Sequence, residues 1–343
     1  SDPSIRLSST VDRDPTKMAI LVTGGAGYIG SHTVLALHEA GEAVVVLDNL
    51  ATGFAAFVPE GVPLVTGDVA DEALVERTID THGIDAIIHF AGSVVVPDSL
   101  ADPLGYYRNN TMAARNLIAV AVRRGIDRFI FSSTAAVYGN PEHMPVREDA
   151  PTRPLSPYGT SKLMTEIMLH DTARAHGLHY VVLRYFNVAG ADPKARVGLA
   201  TAGATHLLKV AVEAALGRRE AIEVFGTDYP TPDGSCIRDF IHVSDLAEAH
   251  RAALVYLRGG GHSATLNCGY GRGYSVLETI AAVRRVSGRD FTVRHVGRRE
   301  GDIMTMIADN ALMRATLDFT PRYDDLDAIV AHALAWEDRL ARE

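Results

Sequence analysis

The sequence predicts an α/β fold, in which a doubly wound parallel sheet is joined to a smaller, mixed C-terminal lobe. Three observations support this prediction. Short, continuously apolar runs alternate with helical segments through the first half of the 343 residues, a glycine-rich turn joins the first run to the first helix, and the alternation loosens after about residue 187. Continuous apolar runs are typical of parallel strands that helices cover on both faces.

Most of the predicted elements fall in the first half of the chain. Strands are predicted at residues 19–23, 43–47, 64–66, 86–89, 128–131 and 180–183. Helices are predicted at residues 29–40, 73–82, 104–124 and 157–176, and in the C-terminal lobe at residues 243–256, 275–286 and 326–342. Right-handed crossovers between consecutive strands would place the helices on both faces of the sheet.

The composition is that of a globular protein and excludes some classes of partner. The formal net charge is −9, and without a run of Lys or Arg the chain gives no support for binding nucleic acid or a membrane surface. Two cysteines, Cys236 and Cys268, lack metal-binding spacing, which favours reduced thiols, a cytoplasmic location and no metal site. Residues 1–17 are polar and are expected to be a disordered leader ahead of a native start at Met18.

A glycine-rich turn, Gly24-Gly25-Ala26-Gly27-Tyr28-Ile29-Gly30, joins the first predicted strand to the first helix. Gly24 permits a tight turn, Gly27 lets the backbone approach a pyrophosphate, and Gly30 lets the helix pack close to the strand. The helix N-terminus then offers N–H groups to phosphates. The pattern predicts a Rossmann-type domain over residues 18–187, interlaced with a substrate lobe over residues 188–343. Alone, it is also compatible with a plain glycine turn.

Acidic and turn residues at the predicted carboxyl edge of the sheet support a cofactor site. Asp48 closes the second predicted strand, where a carboxylate accepts hydrogen bonds from the adenosine ribose and repels a 2′-phosphate. The predicted cofactor is therefore NAD rather than NADP. Asp68 follows the third strand, and Phe90 and Ala91 follow the fourth. Taken singly, each of these residues is also compatible with turn chemistry.

Tyr158 and Lys162 form a Tyr-x-x-x-Lys pair at the start of a predicted helix. Their spacing places both side chains on one helical face. A phenol has a reference pKa of about 10, and a neighbouring cation favours the phenolate, so Tyr158 is a candidate base for a sugar hydroxyl. Thr134, in the run Ser132-Ser133-Thr134 just after the fifth predicted strand, can share a hydrogen bond with the substrate and the tyrosine.

Several longer strings make the pattern specific. They read LVTGGAGYIGSH (residues 21–32), VYG (137–139), SPYG (156–159), LRYFN (183–187), VFGTDY (224–229), RDFIHV (238–243) and RREGD (298–302). Together they resemble the extended short-chain dehydrogenase/reductase family and, within it, the UDP-glucose 4-epimerases, from residue 19 to the end. The resemblance implies an isomerase that oxidises C4 of the sugar, lets the 4-keto sugar turn over, and reduces it again with NAD retained.

The same resemblance assigns further residues. Cofactor contacts are implied for Tyr28, Ile29, Asn49, Gly53, Asp68, Val69, Phe90, Ala91, Asn109 and Phe186, together with Gly24, Gly27, Gly30, Asp48, Tyr158 and Lys162. Contacts with the UDP-sugar are implied for Asn187, His206, Arg238, Arg299 and Asp302, together with Thr134 and Tyr158. Two arginines suit a diphosphate, because guanidinium donors match phosphate oxygens bidentately.

Three departures from the family pattern concern substrate and cofactor binding. Many relatives have Lys shortly after the Phe-Ala-Gly turn, but this chain has Ser93 followed by three valines, so one cofactor contact is expected to be missing. The loop at residues 198–206 differs from the acidic, Pro-containing loop of many relatives. Met306 stands where a small residue accompanies tolerance of N-acetylated sugars, so plain hexoses or pentoses are expected.

Three alternatives to a hexose epimerase share this fold, and the residues argue against the first and the third. A nucleotide-sugar dehydratase or decarboxylase would need acidic residues after the threonine, and this chain has Ala135 and Ala136 there. A UDP-xylose/UDP-arabinose 4-epimerase would use the same residues. A non-catalytic NAD-sensing protein would not need Tyr158, Lys162 and Thr134. In similar proteins the helices at residues 104–124 and 157–176 pair between subunits, so a homodimer is expected.

Overall fold

The computed structural model describes residues 18–201, 203–299 and 301–342, and the expected leader at residues 1–17 lies outside this range. The strands are β1 (Ala19–Thr23), β2 (Val44–Asp48), β3 (Leu64–Thr66), β4 (Ile84–His89), β5 (Arg128–Thr134), β6 (His179–Tyr185), β7 (Asn187–Ala189), β8 (Ala221–Phe225), β9 (Ile237–His242), β10 (Ala264–Cys268), β11 (Gly273–Ser275), β12 (Thr292–Val296) and β13 (Thr305–Met306). The helices are α1 (Tyr28–Glu39), α2 (Glu72–His82), α3 (Val96–Ala101), α4 (Pro103–Tyr106), α5 (Ala113–Arg123), α6 (Pro157–His176), α7 (Leu207–Ala215), α8 (Val243–Arg258), α9 (Val276–Ser287), α10 (Ala311–Thr316) and α11 (Leu326–Leu340).

A seven-stranded parallel sheet forms the centre of the fold. Its order is β3-β2-β1-β4-β5-β6-β10. The order reverses between β1 and β4, which is the switch point where ligands bind in doubly wound sheets. The predicted fold class is therefore confirmed. The seventh strand, β10, comes from the C-terminal half, where no strand was predicted at these residues. The division of the chain at residue 187 stays a prediction.

Each central strand is buried on both faces. Ile20 and Val22 of β1 pack with side chains of α1 and α8, whereas Leu21, which lies between them, packs with side chains of α2, α5 and α6. Successive residues of a strand point to opposite faces, so an unbroken apolar run serves two helical layers at once. This arrangement explains why the strands were recognisable in the sequence as continuous rather than alternating apolar runs.

β5 and β6 extend beyond their predicted ends. The prediction ended them at residues 131 and 183, whereas Ser132, Ser133 and Thr134 continue β5 in register with the last residues of β6. The sequence prediction ended where polar residues began, yet these polar residues remain in the strand because their partner strand extends as well. Thr134 is therefore the last residue of β5, and not part of a loop that follows the strand.

The helix predicted at residues 104–124 is not a regular α-helix throughout, because it contains a π-helical segment. α4 leads into a π-helical segment at Tyr107–Met112, and α5 follows without a break. A π-helical segment inserted in an α-helix is uncommon and is frequently found at functional sites. Asn109 and Asn110 both lie in this segment, which packs against α6.

The C-terminal residues contribute two smaller sheets and further helices. β9 pairs with β11 on one edge, and with β13 and β7 on the other. β8 pairs with β12, and α7, α9 and α11 pack against one another beside them. α8 packs on α1 and thus covers one face of the large sheet. Over the part of the chain that the structure describes, no helix is long and apolar enough to cross a bilayer.

We predict that Gly30→Ala destabilises the protein. A Cβ at residue 30 would lie 2.1 Å from the carbonyl oxygen of Gly24, so the turn and α1 would have to move apart. Overpacking of this kind costs about 1–3 kcal/mol in the free energy of unfolding. Gly297→Ala is the matched control, because a Cβ there would meet open space. Urea unfolding that gave the two variants equal stability would contradict the prediction.

Candidate active site

The glycine turn lies directly against the segment that follows β4. Gly24 has φ +71°, and a Cβ there would lie 2.6 Å from the backbone nitrogen of Ala91. The N–H groups of Phe90 and Ala91 both donate to the carbonyl oxygen of Thr23, at 2.9 Å and 3.2 Å. Gly27 begins α1 and supplies no side-chain cap. The turn therefore presents backbone N–H groups at a helix N-terminus, which is the arrangement that binds phosphates.

Asp48 is held at the carboxyl end of β2. One carboxylate oxygen accepts the N–H of Ala26 at 2.9 Å and the other accepts the N–H of Leu50 at 2.8 Å. These bonds fix the carboxylate beside the glycine turn. Gly53 approaches the same turn closely, because a Cβ there would lie 2.9 Å from the carbonyl oxygen of Ala26. Asn49 is exposed between them, and its side chain accepts the N–H of Ala51.

Two predicted cofactor residues line one cleft. A cleft of about 340 Å³ lies between the end of β3 and the π-helical segment, and Asp68 and Asn109 form part of its wall with Ser93 and Arg108. Asp68 is exposed and accepts the N–H of Ala70, whereas its neighbour Val69 is buried. The cleft therefore brings together residues that lie about 40 positions apart in the sequence.

Other predicted cofactor residues contact the core. The ring of Phe90 lies 4.7 Å from the ring of His250 on α8. Phe186 is buried, and its N–H donates to the carbonyl oxygen of Cys268. The hydroxyl of Tyr28 donates to the carbonyl oxygen of Gly190 at 2.7 Å, and Ile29 packs against the core. The side chains of these residues serve the packing of the site, and their contacts with a cofactor stay predictions.

Tyr158 and Thr134 meet at the carboxyl end of β5. Their side chains are close enough for the Thr134 hydroxyl to act on the pKa of Tyr158, and both residues are half-buried. Burial raises the pKa of Tyr158, while the hydroxyl of Thr134 acts in the opposite direction. Thr134 also accepts the N–H of Ala136 at 3.1 Å, which fixes its rotamer. A hydroxyl and a phenol are thus aligned at one point of the sheet edge.

Lys162 is buried one turn after Tyr158 on α6. Its Nζ donates to the carbonyl oxygen of Ser132 at 2.9 Å and lies 5.0 Å from the centre of the Phe131 ring. Burial lowers the pKa of Lys162 to about 8, and Glu166 acts in the opposite direction. A cation in this position stabilises a phenolate on the same helical face.

The segment after β4 connects the glycine turn to the predicted catalytic residue Lys162. Ala91 touches Gly24, and a Cβ on the next residue, Gly92, would lie 3.8 Å from Nζ of Lys162. Asn110 fixes this segment by bonding the N–H and the carbonyl oxygen of Ser93 at 2.7 Å and 2.9 Å. The sequence analysis assigned no role to Asn110; the signal available was a polar residue at a buried helical position.

Two of the predicted substrate residues belong to the sheet that contains β9, and two lie next to β8. Asn187 begins β7 and Arg238 lies on β9, where its Nη1 donates to the carbonyl oxygen of Ile237. Arg299 lies 3.8 Å from the centre of the Phe225 ring, and the N–H of Asp302 donates to the carbonyl oxygen of Arg299. Phe225 was not predicted as a site residue, although it lies in the string VFGTDY.

His206 and Met306 have different surroundings. His206 begins α7 and lines a small pocket with Tyr28, Gly190 and Trp336. Met306 is buried and pairs with Arg238 across β13 and β9. It packs in a cluster that includes Ala135 and Phe186, residues adjacent to Thr134 and Asn187. Met306 thus lies between the catalytic strand and the substrate residues.

The comparisons with known proteins identify the family of the chain. Residues 20–269 match the model of the NAD dependent epimerase/dehydratase family. A UDP-glucose 4-epimerase of Azospirillum brasilense is 54% identical over 326 residues, which cover 95% of this chain and 94% of the relative.

Two solved structures are closely similar. A UDP-glucose 4-epimerase from Brucella ovis in complex with NAD has a TM-score of 0.90 and 43% identity, covering 93% of this chain and 98% of that chain. A UDP-glucose-4-epimerase from Stenotrophomonas maltophila, with bound NAD and formylated UDP-arabinopyranose, has a TM-score of 0.92 and 38% identity, covering 95% and 99%.

The fold and the site define a dinucleotide-dependent α/β enzyme with a tyrosine–lysine pair. The chain belongs to the NAD-dependent epimerase/dehydratase family. The resemblance predicted from the sequence and the predicted cofactor, NAD, are therefore confirmed. The roles of individual residues stay predictions.

We predict an acid-dependent loss of stability that involves His89, which ends β4 beside Lys162. His89 is buried, its Nδ1 lies 2.7 Å from Oγ1 of Thr23, and burial lowers its pKa to about 3, with Lys162 acting in the same direction. Unfolding restores an ordinary pKa of about 6.5, so the unfolded state binds more protons between pH 6.5 and 3. The free energy of unfolding therefore falls as the pH falls through this window.

His89→Asn tests this assignment. In urea titrations the slope of the unfolding free energy against pH, between pH 6 and 4, should decrease in the variant by up to about 1.4 kcal/mol per pH unit. Exposed His38→Asn is the control and should retain the wild-type slope. An unchanged slope in His89→Asn would show that this ring is protonated in the folded protein.

Proposed function

We propose that this chain interconverts UDP-glucose and UDP-galactose as an NAD-dependent 4-epimerase. The observation that carries the proposal is the contact of Tyr158 with Thr134, with the buried Lys162 one turn away on α6. This geometry provides a base, a hydroxyl and a cation at the carboxyl ends of the parallel strands, which is the edge where ligands of doubly wound sheets bind. It occurs in a chain that matches UDP-glucose 4-epimerases over almost its whole length.

The residues present suit NAD. The Gly24–Ala91 contact leaves no room for a Cβ, so the tight turn requires glycine there, and Gly27 lets the backbone approach a pyrophosphate. Asp48 is held by two backbone N–H groups, and its remaining lone pairs are available to ribose hydroxyls. When bound, NAD supplies the acceptor and donor of the hydrogen that leaves and returns at C4 of the sugar.

Tyr158 and Thr134 move the proton in this proposal. A sugar hydroxyl bound between these two side chains can pass its proton to Tyr158, and can recover it after the sugar has turned over. Lys162 favours the phenolate by its charge. Thr134 orients the hydroxyl from the opposite side. The catalytic roles of all three residues, predicted from the sequence, are part of the proposal.

The nucleotide diphosphate is proposed to bind near β9. Arg238 and Arg299 suit its charge, because guanidinium donors match phosphate oxygens bidentately. Asn187, His206 and Asp302 are proposed to bind the rest of the UDP-sugar, as the family resemblance implies. The buried side chain of Met306 occupies space between Ala135 and Phe186, which favours sugars without an N-acetyl group.

A UDP-xylose/UDP-arabinose 4-epimerase is the second candidate. It would use the same catalytic residues, and the Stenotrophomonas maltophila relative has been crystallised with a UDP-arabinopyranose derivative. The hexose reaction is favoured because the curated relatives are UDP-glucose 4-epimerases. We also propose a cytoplasmic location, in which the two buried free cysteines, Cys236 and Cys268, stay reduced.

We predict that the purified protein converts UDP-galactose to UDP-glucose, and that Tyr158→Phe lowers the turnover by about 10²–10⁴-fold because the base is lost. UDP-galactose and UDP-xylose are incubated separately, without reductant, with and without added NAD, and the products are separated by chromatography. Tyr274→Phe, a half-buried tyrosine bonded by Arg272, is the control and should retain wild-type turnover.

The outcomes separate the candidates. Product from UDP-xylose alone would move the substrate to the pentose candidate and retain the mechanism. Activity that appears only with added NAD would indicate weak retention, as the missing Lys after the Phe-Ala-Gly turn leads us to expect. Undiminished turnover in Tyr158→Phe would contradict the proposed mechanism, and no product from either sugar would favour the non-catalytic alternative.

We further propose that the protein is a homodimer. The π-helical segment packs against α6, and the two present exposed apolar side chains near one another. Leu104 is 77% exposed, Ile167 is 52% exposed, and Met112 and Met164 are also exposed. Exposed apolar side chains that cluster on one surface mark a protein–protein interface. A second copy of the chain fits this surface, since the family resemblance pairs these two helices between subunits.

We predict that Leu104→Glu combined with Ile167→Glu yields a monomer, because charges then face each other across the interface. Light scattering at micromolar concentration should give twice the monomer mass for the wild type and the monomer mass for the variant. Val255→Glu, an exposed apolar residue on α8, is the control and should retain the dimer. A wild type with the monomer mass would contradict the proposal.

A further inference from the structure

A buried ion pair lies directly behind the proposed catalytic residues. Glu166 follows Lys162 by one turn of α6, and Arg184 lies on β6. Nη2 of Arg184 is 2.7 Å from one carboxylate oxygen of Glu166, and its Nε is 3.1 Å from the other. Both side chains are 7% exposed. Burying two charges is costly, so the pair requires further hydrogen bonds to be maintained.

Those hydrogen bonds go to the chain on both sides of Thr134. Glu166 accepts a hydrogen bond from the hydroxyl of Ser133, the residue before Thr134. Arg184 donates to the hydroxyl of Tyr138, four residues after Thr134, at 2.8 Å, and its guanidinium lies 4.8 Å from the centre of that ring. One ion pair therefore restrains the end of β5 and the short helical turn that follows it.

The same pair also fixes the position of α6. Tyr158, Lys162 and Glu166 are spaced four residues apart and lie on one face of the helix. They contact Thr134, the carbonyl oxygen of Ser132 and the hydroxyl of Ser133, respectively. Three successive turns of α6 are thus each joined to one of three successive residues of β5. A rotation or a slide of the helix would break all three contacts together.

Glu166 is also the acidic group that acts on Lys162. The other titratable groups around the lysine and its phenol partner are His89 on β4, Tyr106 on α4, Tyr158 on α6 and Tyr185 on β6. His89 is neutral, because burial and Lys162 both lower its pKa. Burial lowers the pKa of Lys162, and the carboxylate of Glu166 counteracts this.

We propose that the Glu166–Arg184 pair is a positioning element, which holds α6 in register on β5 so that Tyr158 meets Thr134. Glu166 and Arg184 act through these neighbours and not on the sugar. The inference rests on the proposed epimerase function. The carboxylate of Glu166 has two separate effects. The hydrogen bond that it accepts from Ser133 sets the register of α6 on β5. Its charge acts on the pKa of Lys162.

Two variants separate the two effects. Glu166→Gln removes the charge, so kcat for UDP-galactose should fall about tenfold or more, KM should stay within about twofold, and the alkaline limb of the kcat profile should move down by about one pH unit. Ser133→Ala removes only a hydrogen bond, so kcat should fall about fivefold while the alkaline limb stays in place. Glu76→Gln, a surface glutamate paired with Arg123, is the control and should match the wild type.

Two outcomes would contradict the proposed positioning role of the Glu166–Arg184 pair. Wild-type kcat in Ser133→Ala, or a loss in Glu166→Gln without movement of the alkaline limb, would overturn it. Should Glu166→Gln fail to fold, Ser133→Ala decides alone, because its loss of one hydroxyl leaves the ion pair intact. A wild type without turnover overturns the proposed function and this inference with it, whereas an active wild type with unaltered variants overturns this inference alone.

Discussion

The buried charge of Lys162 is the constraint on which the arrangement of the active site depends. An ammonium group enclosed in protein loses its hydration, and fixed partners must compensate for this loss. Lys162 is 3% exposed, and its partners are the carbonyl oxygen of Ser132 and the ring of Phe131. The carboxylate of Glu166, one turn further along α6, acts on its pKa in the opposite direction to burial. Because Lys162 lies on α6 and these two partners lie on β5, neither element can shift against the other without leaving the charge unpaired. The position of Tyr158 follows from that restriction.

Local sequence patterns were sufficient to predict the parallel sheet, the glycine turn and the spacing of Tyr158 and Lys162. The parallel sheet could be recognised because each strand serves two helical layers and is therefore apolar throughout, as Ile20, Leu21 and Val22 illustrate. The glycine turn could be recognised because steric exclusion acts over few residues, and the turn at Gly24 leaves no space for a side chain. The spacing of Tyr158 and Lys162 is a property of one helix. Each of these signals lies within a short window of sequence.

Partners that come from distant parts of the chain could not be predicted in this way. Glu166 and Arg184 are 18 residues apart on different elements, and nothing in either local pattern indicates that they meet. β10 joins the sheet although a long C-terminal stretch separates it from β6. The end of β5 was missed because serine and threonine suggest a loop, whereas here the hydroxyl of Ser133 donates to Glu166 of α6 and the carbonyl oxygen of Ser132 accepts from Lys162. In these cases tertiary contacts override local propensity.

The proposed substrate residues depend on β9, which lies next to residues proposed to contact the sugar and to residues proposed to contact the diphosphate. Met306 pairs with Arg238 across β13 and β9, and Asn187 pairs with Phe240 farther along the same β9. A side chain at residue 306 that admits a larger sugar therefore changes the packing next to the strand that carries a proposed diphosphate ligand. Because protein interiors are close-packed, such a change in volume is transmitted to its neighbours. If Met306 and Arg238 have the proposed roles, we expect sugar size and diphosphate binding to be coupled, so that a change at residue 306 requires an adjustment at residue 238.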